Sequence, residues 1–218
     1  MKKLLLSISL ISLSISMELF SACPTPMDCP NNPFLGPFYR NIVLTPTCTL
    51  RYEYCWRDAT CYPGIVYHDL FIGQMQLIGN CTGYQNDILT NFKTYVQYCT
   101  NDVVMNADPW NAFGQLPECC PPAQSPCWTD WAWRHGHYAC YTDWYWDPVS
   151  GYLTIDNCDV LDPKSCWDRV RYCFYWEQQP EGPPKKKFKY ESQSYISPTN
   201  CAPLGGPNHD LPCHPVCD

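Results

Sequence analysis

Two cysteines stand seven positions apart inside an alternating stretch, Cys48 to Cys55, and that spacing forbids a bond between them. Leu50, Tyr52, Tyr54 and Trp56 fall on one face of a strand, and Thr49, Arg51, Glu53 and Arg57 fall on the other. Over seven extended residues the Cα atoms lie ~23 Å apart at ~3.3 Å per residue, whereas a disulfide spans at most about 7 Å. Each cysteine must therefore reach a different segment and tie the strand down on both sides. The pattern returns from Cys166 to Cys173, with Arg three residues after the first cysteine (Arg51, Arg169) and Tyr just before the second (Tyr54, Tyr172). Each copy runs on to an Asn-Cys closure, at Asn80-Cys81 and Asn200-Cys201, and a third closure stands at Asn157-Cys158. The steps from Cys55 to Cys81 and from Cys173 to Cys201 match closely enough to indicate a duplicated β unit.

The whole chain has 17 cysteines and 22 prolines in 218 residues, and much of its apolar content is Tyr, Trp and Cys. That composition describes a scaffold in which covalent links compensate for a thin aliphatic core, made in an oxidising compartment. The formal charge of −7 argues against a nucleic-acid partner, which demands clustered cations. Lys2 and Lys3 followed by the apolar, serine-bearing run Leu4–Met17 predict a signal peptide over 1–22, too short to cross a bilayer. Phe20-Ser21-Ala22-Cys23 resembles a bacterial lipobox with Phe in the usual Leu position, so Cys23 is a candidate lipidation site. Removing it would leave sixteen cysteines for pairing; the alternative is a free thiol or a bond between chains.

Residues 23–47 read as a proline-rich lead-in, either a spacer from the membrane or a coil wrapped on the domain by Cys29. The first β unit with a helix occupies 48–100, with a turn over Asp58–Gly64. Ile88, Leu89, Phe92, Tyr95, Val96 and Cys99 recur at helical spacing and predict one amphipathic helix over about 86–99, with Asn86 or Asp87 as N-cap. A connector rich in Cys-Pro and Ser-Pro steps fills 101–126, and 127–218 hold a second β unit and a Cys-rich tail. Within it, Trp128–Cys140 reads as an aromatic strand and Asp147–Gly151 as a hairpin turn. The second repeat has its tip at Gln179–Pro184, and the tail is fastened by Cys213 or Cys217. The expected fold is mainly β: disulfide-stapled, duplicated antiparallel β units with one amphipathic helix. The disulfide candidates are Cys48, Cys55, Cys81, Cys140, Cys158, Cys166, Cys173 and Cys201.

The Tyr-x-Tyr-Cys strand, the Asn-Cys closure, the helix after it and the Cys-Pro-Pro connector resemble uncharacterised Cys-rich exported bacterial proteins. The resemblance implies export and a style of fold.

Three features could carry chemistry. His135 and His137 are two apart, so in a strand both imidazoles face one ion, with a third ligand from an aspartate, His209 or His214; the plainer reading is an exposed, polar stretch of an aromatic strand. Trp131 and Trp133 share a face, as do Trp144 and Trp146, and such rings stack on sugars while Asp143 and Asp147 bond hydroxyls; core packing is the competing reading. Lys185, Lys186, Lys187 and Lys189 cluster beside a hairpin, where they meet anionic headgroups or polysaccharide, or keep an edge strand solvated. No catalytic frame is present, and no cofactor is expected. The sequence thus predicts an exported cell-envelope protein, structural or adhesive, at the outer membrane or cell surface through a lipid on Cys23, or secreted. Its partner would be a polysaccharide or an envelope protein. The alternatives are a glycan-binding module and a metal-binding protein or secreted enzyme.

Overall fold

The computed structural model describes residues 23–26, 28–120, 127–158, 165–196 and 213–217. The signal-peptide segment 1–22, the Asn200-Cys201 closure, His209 and part of the 101–126 connector lie outside the described residues.

The protein is mainly β, built on one eight-stranded sheet. Strands β1 (Leu35–Thr45), β2 (Cys48–Tyr62) and β3 (Ile65–Gly79) form an antiparallel meander. The lead-in is therefore not a spacer over its whole length, because Arg40 to Val43 pair residue by residue with Tyr52 to Thr49. The first turn is tighter than the sequence suggests. Strand pairing continues to Tyr62, leaving Pro63 and Gly64 as the reversal, and Gly64 has φ of 77°. Asp58 and Thr60 stay in the strand because His68 and Trp110 bind the first and Asn32 the second.

The helical segment follows β3, as expected, but in two pieces, α1 (Tyr84–Thr90) and α2 (Phe92–Asp102). Asn91 breaks it with φ −115° and ψ 35°. Gly83 caps the start, so Asn86 and Asp87 are inside the helix; Asp87 instead accepts from Tyr95 Oη and Asn91 Nδ2. Of the stripe read from the sequence, Ile88, Phe92, Tyr95, Val96 and Cys99 are buried, while Leu89 is only half-buried. Asp102 pins the end of α2 to the sheet by accepting from Arg40 of β1 and Tyr52 of β2, at 2.5 and 2.6 Å.

These helices and the segment after them form the crossover that lets β4 (Trp133–Tyr138) lie parallel to β3, since a tight turn joins only antiparallel strands. The short strands β5 (Cys140–Thr142), β6 (Tyr145–Asp147) and β7 (Tyr152–Ile155) follow, and then β8 (Ser165–Glu177) and β9 (Lys185–Ile196). The main order is β1-β2-β3-β4-β8-β9; β7 takes up the rest of the β3 edge and carries β6. The two β units thus share one sheet. Strand β10 (Cys213–Pro215) pairs with β5, so the tail is sewn onto the body. The predicted hairpin turn forms as read: Asp147 accepts from the Val149 and Ser150 amides, and Gly151 has φ of 72°.

The cysteine logic holds. Cys48 bonds to Cys81, Cys55 to Cys23, Cys166 to Cys217 and Cys173 to Cys119. Cys29–Cys61, Cys120–Cys127 and Cys158–Cys213 complete the bridges with both partners described, and Cys140 is also disulfide-bonded. Both Cys213 and Cys217 fasten the tail, not one of them. The free cysteine among the described residues is Cys99, buried in α2.

Aromatic rings dominate the core. Tyr52, Tyr141, Tyr172 and Phe71 are among its largest fully buried side chains, and Trp133 and Trp167 sit beside them. At Gly136 the backbone lies directly against the Trp167 ring. A Cβ there would stand 2.7–2.8 Å from ring carbons of Trp167. Gly136→Ala is expected to destabilise by about 1–3 kcal/mol, the usual cost of overpacking. In urea unfolding, adding Trp167→Leu should recover part of that loss; strictly additive losses would mean the ring is not the obstacle.

Candidate functional site

Strand β4 lies mid-sheet between β3 and β8, and all six of its residues are buried. This location decides the fate of the histidines. Trp133, His135 and His137 face the helices; Arg134 and Tyr138 face the opposite side. On the helix face His135 and His137 line a small cavity with Asp168, which pairs with His135 across the strands, and with Lys93 and Gln97 of α2 and Tyr190 and Ser192 of β9. The cavity measures about 20 Å³, which is room for roughly one water molecule and for no sugar ring.

Both imidazoles are held in place. His135 Nε2 is 3.0 Å from Tyr172 Oη. His137 Nδ1 is 2.8 Å from the Tyr138 carbonyl, an acceptor, so this nitrogen carries the proton. Burial pushes the pKa of His135 down to about 3 and that of His137 down to about 4, the Tyr138 carbonyl opposing the second shift and Lys93 adding to it. Burial also raises Asp168, against the nearby Lys93 ammonium at 3.8 Å. The site can hold neutral imidazoles beside a water-sized space. Among the described residues no three His, Cys, Asp or Glu side chains converge as metal ligands.

The other face of the same strands holds a cluster that sequence reading did not find. Arg57 of β2, Asp69 of β3 and Arg134 of β4 are adjacent across the ladder. Asp69 accepts from Arg57 Nε at 2.7 Å and from Arg134 Nε and Nη2, both at 2.6 Å. Asp28, from the N-terminal segment, receives Arg57 Nη2 and Arg134 Nη1, each at 2.6 Å, and the Tyr62 hydroxyl. Burial opposes its charge, but the hydrogen bonds from Arg134, Tyr62 and Arg57 hold its pKa down at about 2. Phe34 and Tyr67 cover the two guanidinium groups. The buried charges are thus matched and bonded, as interior ions must be.

The proposed sugar platforms do not assemble. Trp133 is buried against Trp110, His68 and Tyr172. Trp131 precedes β4 and, with Trp128, stacks on the Arg171 guanidinium. Trp131 and Trp133 do not share a strand face, because the strand begins only at Trp133. Trp144 stands just before β6 and donates to the Gln85 carbonyl at the helices, while Trp146 alone of the four is largely exposed, at 64%. Asp143 is paired with His214 Nε2 at 2.6 Å, and Asp147 caps its turn. Both carboxylates are thus engaged in local structure.

Cys23 is bonded to Cys55. One sulfur cannot carry both a disulfide and a lipid thioether, and the unpaired cysteine among the described residues is Cys99 instead.

No protein-family model, no curated protein and no solved structure matches this chain. The disulfides indicate an oxidising, extracellular type of environment. Among the described residues no helix is long and apolar enough to cross a membrane.

Proposed function

We propose that this is an exported, non-enzymatic protein of the cell envelope with a structural or adhesive role, comparable to the Cys-rich exported bacterial proteins its motifs resemble. The observation that carries this reading is the distribution of covalent ties. Bridges separated by 32, 33, 51, 54 and 55 residues fasten the N-terminal segment, both β units and the tail to one sheet. Each such closure contributes about 2–4 kcal/mol, chiefly by restricting the unfolded chain. Such ties favour durability, and the cavity beside the histidines has room for about one water molecule. Engagement of Cys23 with Cys55 favours a chain released after removal of its signal peptide over one anchored by lipid.

Intact mass of the protein recovered from cells, with thiols blocked before and after unfolding, tests the reading together with fractionation. The expected product is oxidised, carries no acyl increment on Cys23, and is found in the envelope or medium. Cys99 should be alkylated only after unfolding, because it is fully buried. A reduced, cytosolic product with many reactive thiols would overturn the proposal, and an acylated Cys23 would restore the lipid anchor.

A further inference from the structure

The helix-free face of the β8–β9 hairpin carries a row of lysines that reaches solvent. Lys185, Lys187 and Lys189 lie at alternate positions on β9 and so share one face, with ammonium groups spread over about 13 Å. Their cross-strand partners are Glu177, Tyr175 and Cys173. The intervening Lys186 points to the other face, where its Nζ donates to the Phe113 carbonyl.

This row stands out because, among the described residues, several other cations are held by carboxylates. Arg40 is bound to Asp102, Arg57 and Arg134 to Asp28 and Asp69, Lys93 faces Asp168, and Arg171 is clamped to Glu191. Against them, Lys185 and Lys189 are exposed, and Lys187 approaches Glu177 only to 3.9 Å, with both side chains more than 40% exposed. Such a pair contributes little in water. In a chain of net charge −7, a continuous basic strip is a local reversal of the field. The Tyr175 ring lies in the middle of the strip, opposite Lys187 and 5.4 Å from Lys189 Nζ.

We propose that this strip, Lys185, Lys187 and Lys189 with Tyr175, binds an acidic polysaccharide, its carboxylates meeting the ammonium groups and one sugar ring packing on the tyrosine. Three features favour a polymer over a membrane surface. The lysines form a line and not a plane. Glu177 and Glu191 flank the line and would be pressed against anionic headgroups. A half-buried aromatic ring within the charge row suits a sugar face. This partner presupposes the exported, adhesive role proposed above.

The test uses the oxidised full chain and polygalacturonate, with dextran as the uncharged counterpart and anionic phospholipid vesicles as a third probe. Wild type should bind polygalacturonate and not dextran, and affinity should fall steeply with salt, because ion release drives such contacts. Lys185→Gln/Lys187→Gln/Lys189→Gln should weaken binding at least tenfold and flatten the salt dependence, with the unfolding midpoint unchanged. Tyr175→Ala should weaken the binding that survives at high salt, and Arg51→Gln, on β2 and four strands away from β9, should leave it intact. Equal affinity of the triple variant overturns the proposal, as does equal binding of dextran or preference for vesicles. Unchanged polygalacturonate binding accompanied by new self-association would reduce the lysines to guards of an edge strand. Cell-surface association without polygalacturonate binding removes the strip alone; polygalacturonate binding without surface association removes the adhesive role and keeps the strip.

Discussion

Asp69→Ala is expected to abolish the cooperative fold at ambient temperature, even with every disulfide intact. The carboxylate is 0% exposed and binds two guanidinium groups that are themselves buried, Arg57 and Arg134. Removing one partner of a buried ion pair costs about 3–5 kcal/mol because the remaining charge stays desolvated. Here the deletion leaves two guanidinium groups sharing Asp28 alone, so one positive charge stays buried without a partner, and the loss reaches the lower end of the stability of a typical domain, about 5–15 kcal/mol. Asp28→Ala should cost less, since Asp28 keeps 24% of its side-chain surface in water and solvent can replace it. Near-ultraviolet circular dichroism and urea unfolding would compare the two variants. A loss below about 1 kcal/mol for Asp69→Ala would show that the network does not carry the centre of the sheet.

Acid should unfold the protein from the other face of the same strand. His135 and His137 are neutral in the fold, with pKa values held down at about 3 and about 4 by burial. In the unfolded chain both titrate near the usual 6.5. Above that pH the two states bind equal numbers of protons and stability is full. Between pH 6.5 and 4 the unfolded chain takes up two protons that the fold refuses, so stability falls as pH falls. The slope reaches about 2.7 kcal/mol per pH unit, and the loss by pH 4 is on the order of 5 kcal/mol. The other ionisable groups lining this cavity are Asp168, Lys93 and Tyr190. Asp168, whose pKa burial raises, partly offsets the loss at the lower end by binding its proton earlier in the fold. Asp28 acts in the opposite sense, and its contribution disappears as pH drops from about 4 towards 2. Urea midpoints at pH 7, 6, 5 and 4 would measure the slope. His135→Gln/His137→Gln should flatten it; an unaltered slope in that variant would place the acid sensitivity elsewhere.

The two faces of β4 also mark the limit of what could be read in advance. Alternation correctly puts His135 and His137 on one side and Arg134 on the other. It cannot say that both sides are covered, because cover comes from α2 and from the N-terminal segment, distant in sequence. A polar stretch, WRHGHY in one-letter code, looks like a solvated edge strand, whereas here Arg134, His135 and His137 all have buried hydrogen-bond partners. Arg57, Asp69 and Arg134 are likewise ordinary strand charges until the register brings them side by side. The tryptophan platforms failed for a related reason: parity applies only inside a strand, and Trp131 and Trp144 stand just outside theirs.

What the sequence determined by itself was local or covalent. Helical spacing gave the buried stripe from Ile88 to Cys99, proline and glycine set the hairpin reversals, and an odd seven-residue step forced Cys48 and Cys55 to seek separate partners. Each of these follows from the geometry of a few neighbouring residues. Tertiary structure alone decided that the two β units fuse through a parallel pairing of β3 and β4, that β1 joins the sheet, and that Cys23 bonds to Cys55 while Cys99 stays free. Those outcomes depend on which distant segments compete for the same strand edge and the same sulfur, and that competition is settled by packing and not by spacing along the chain.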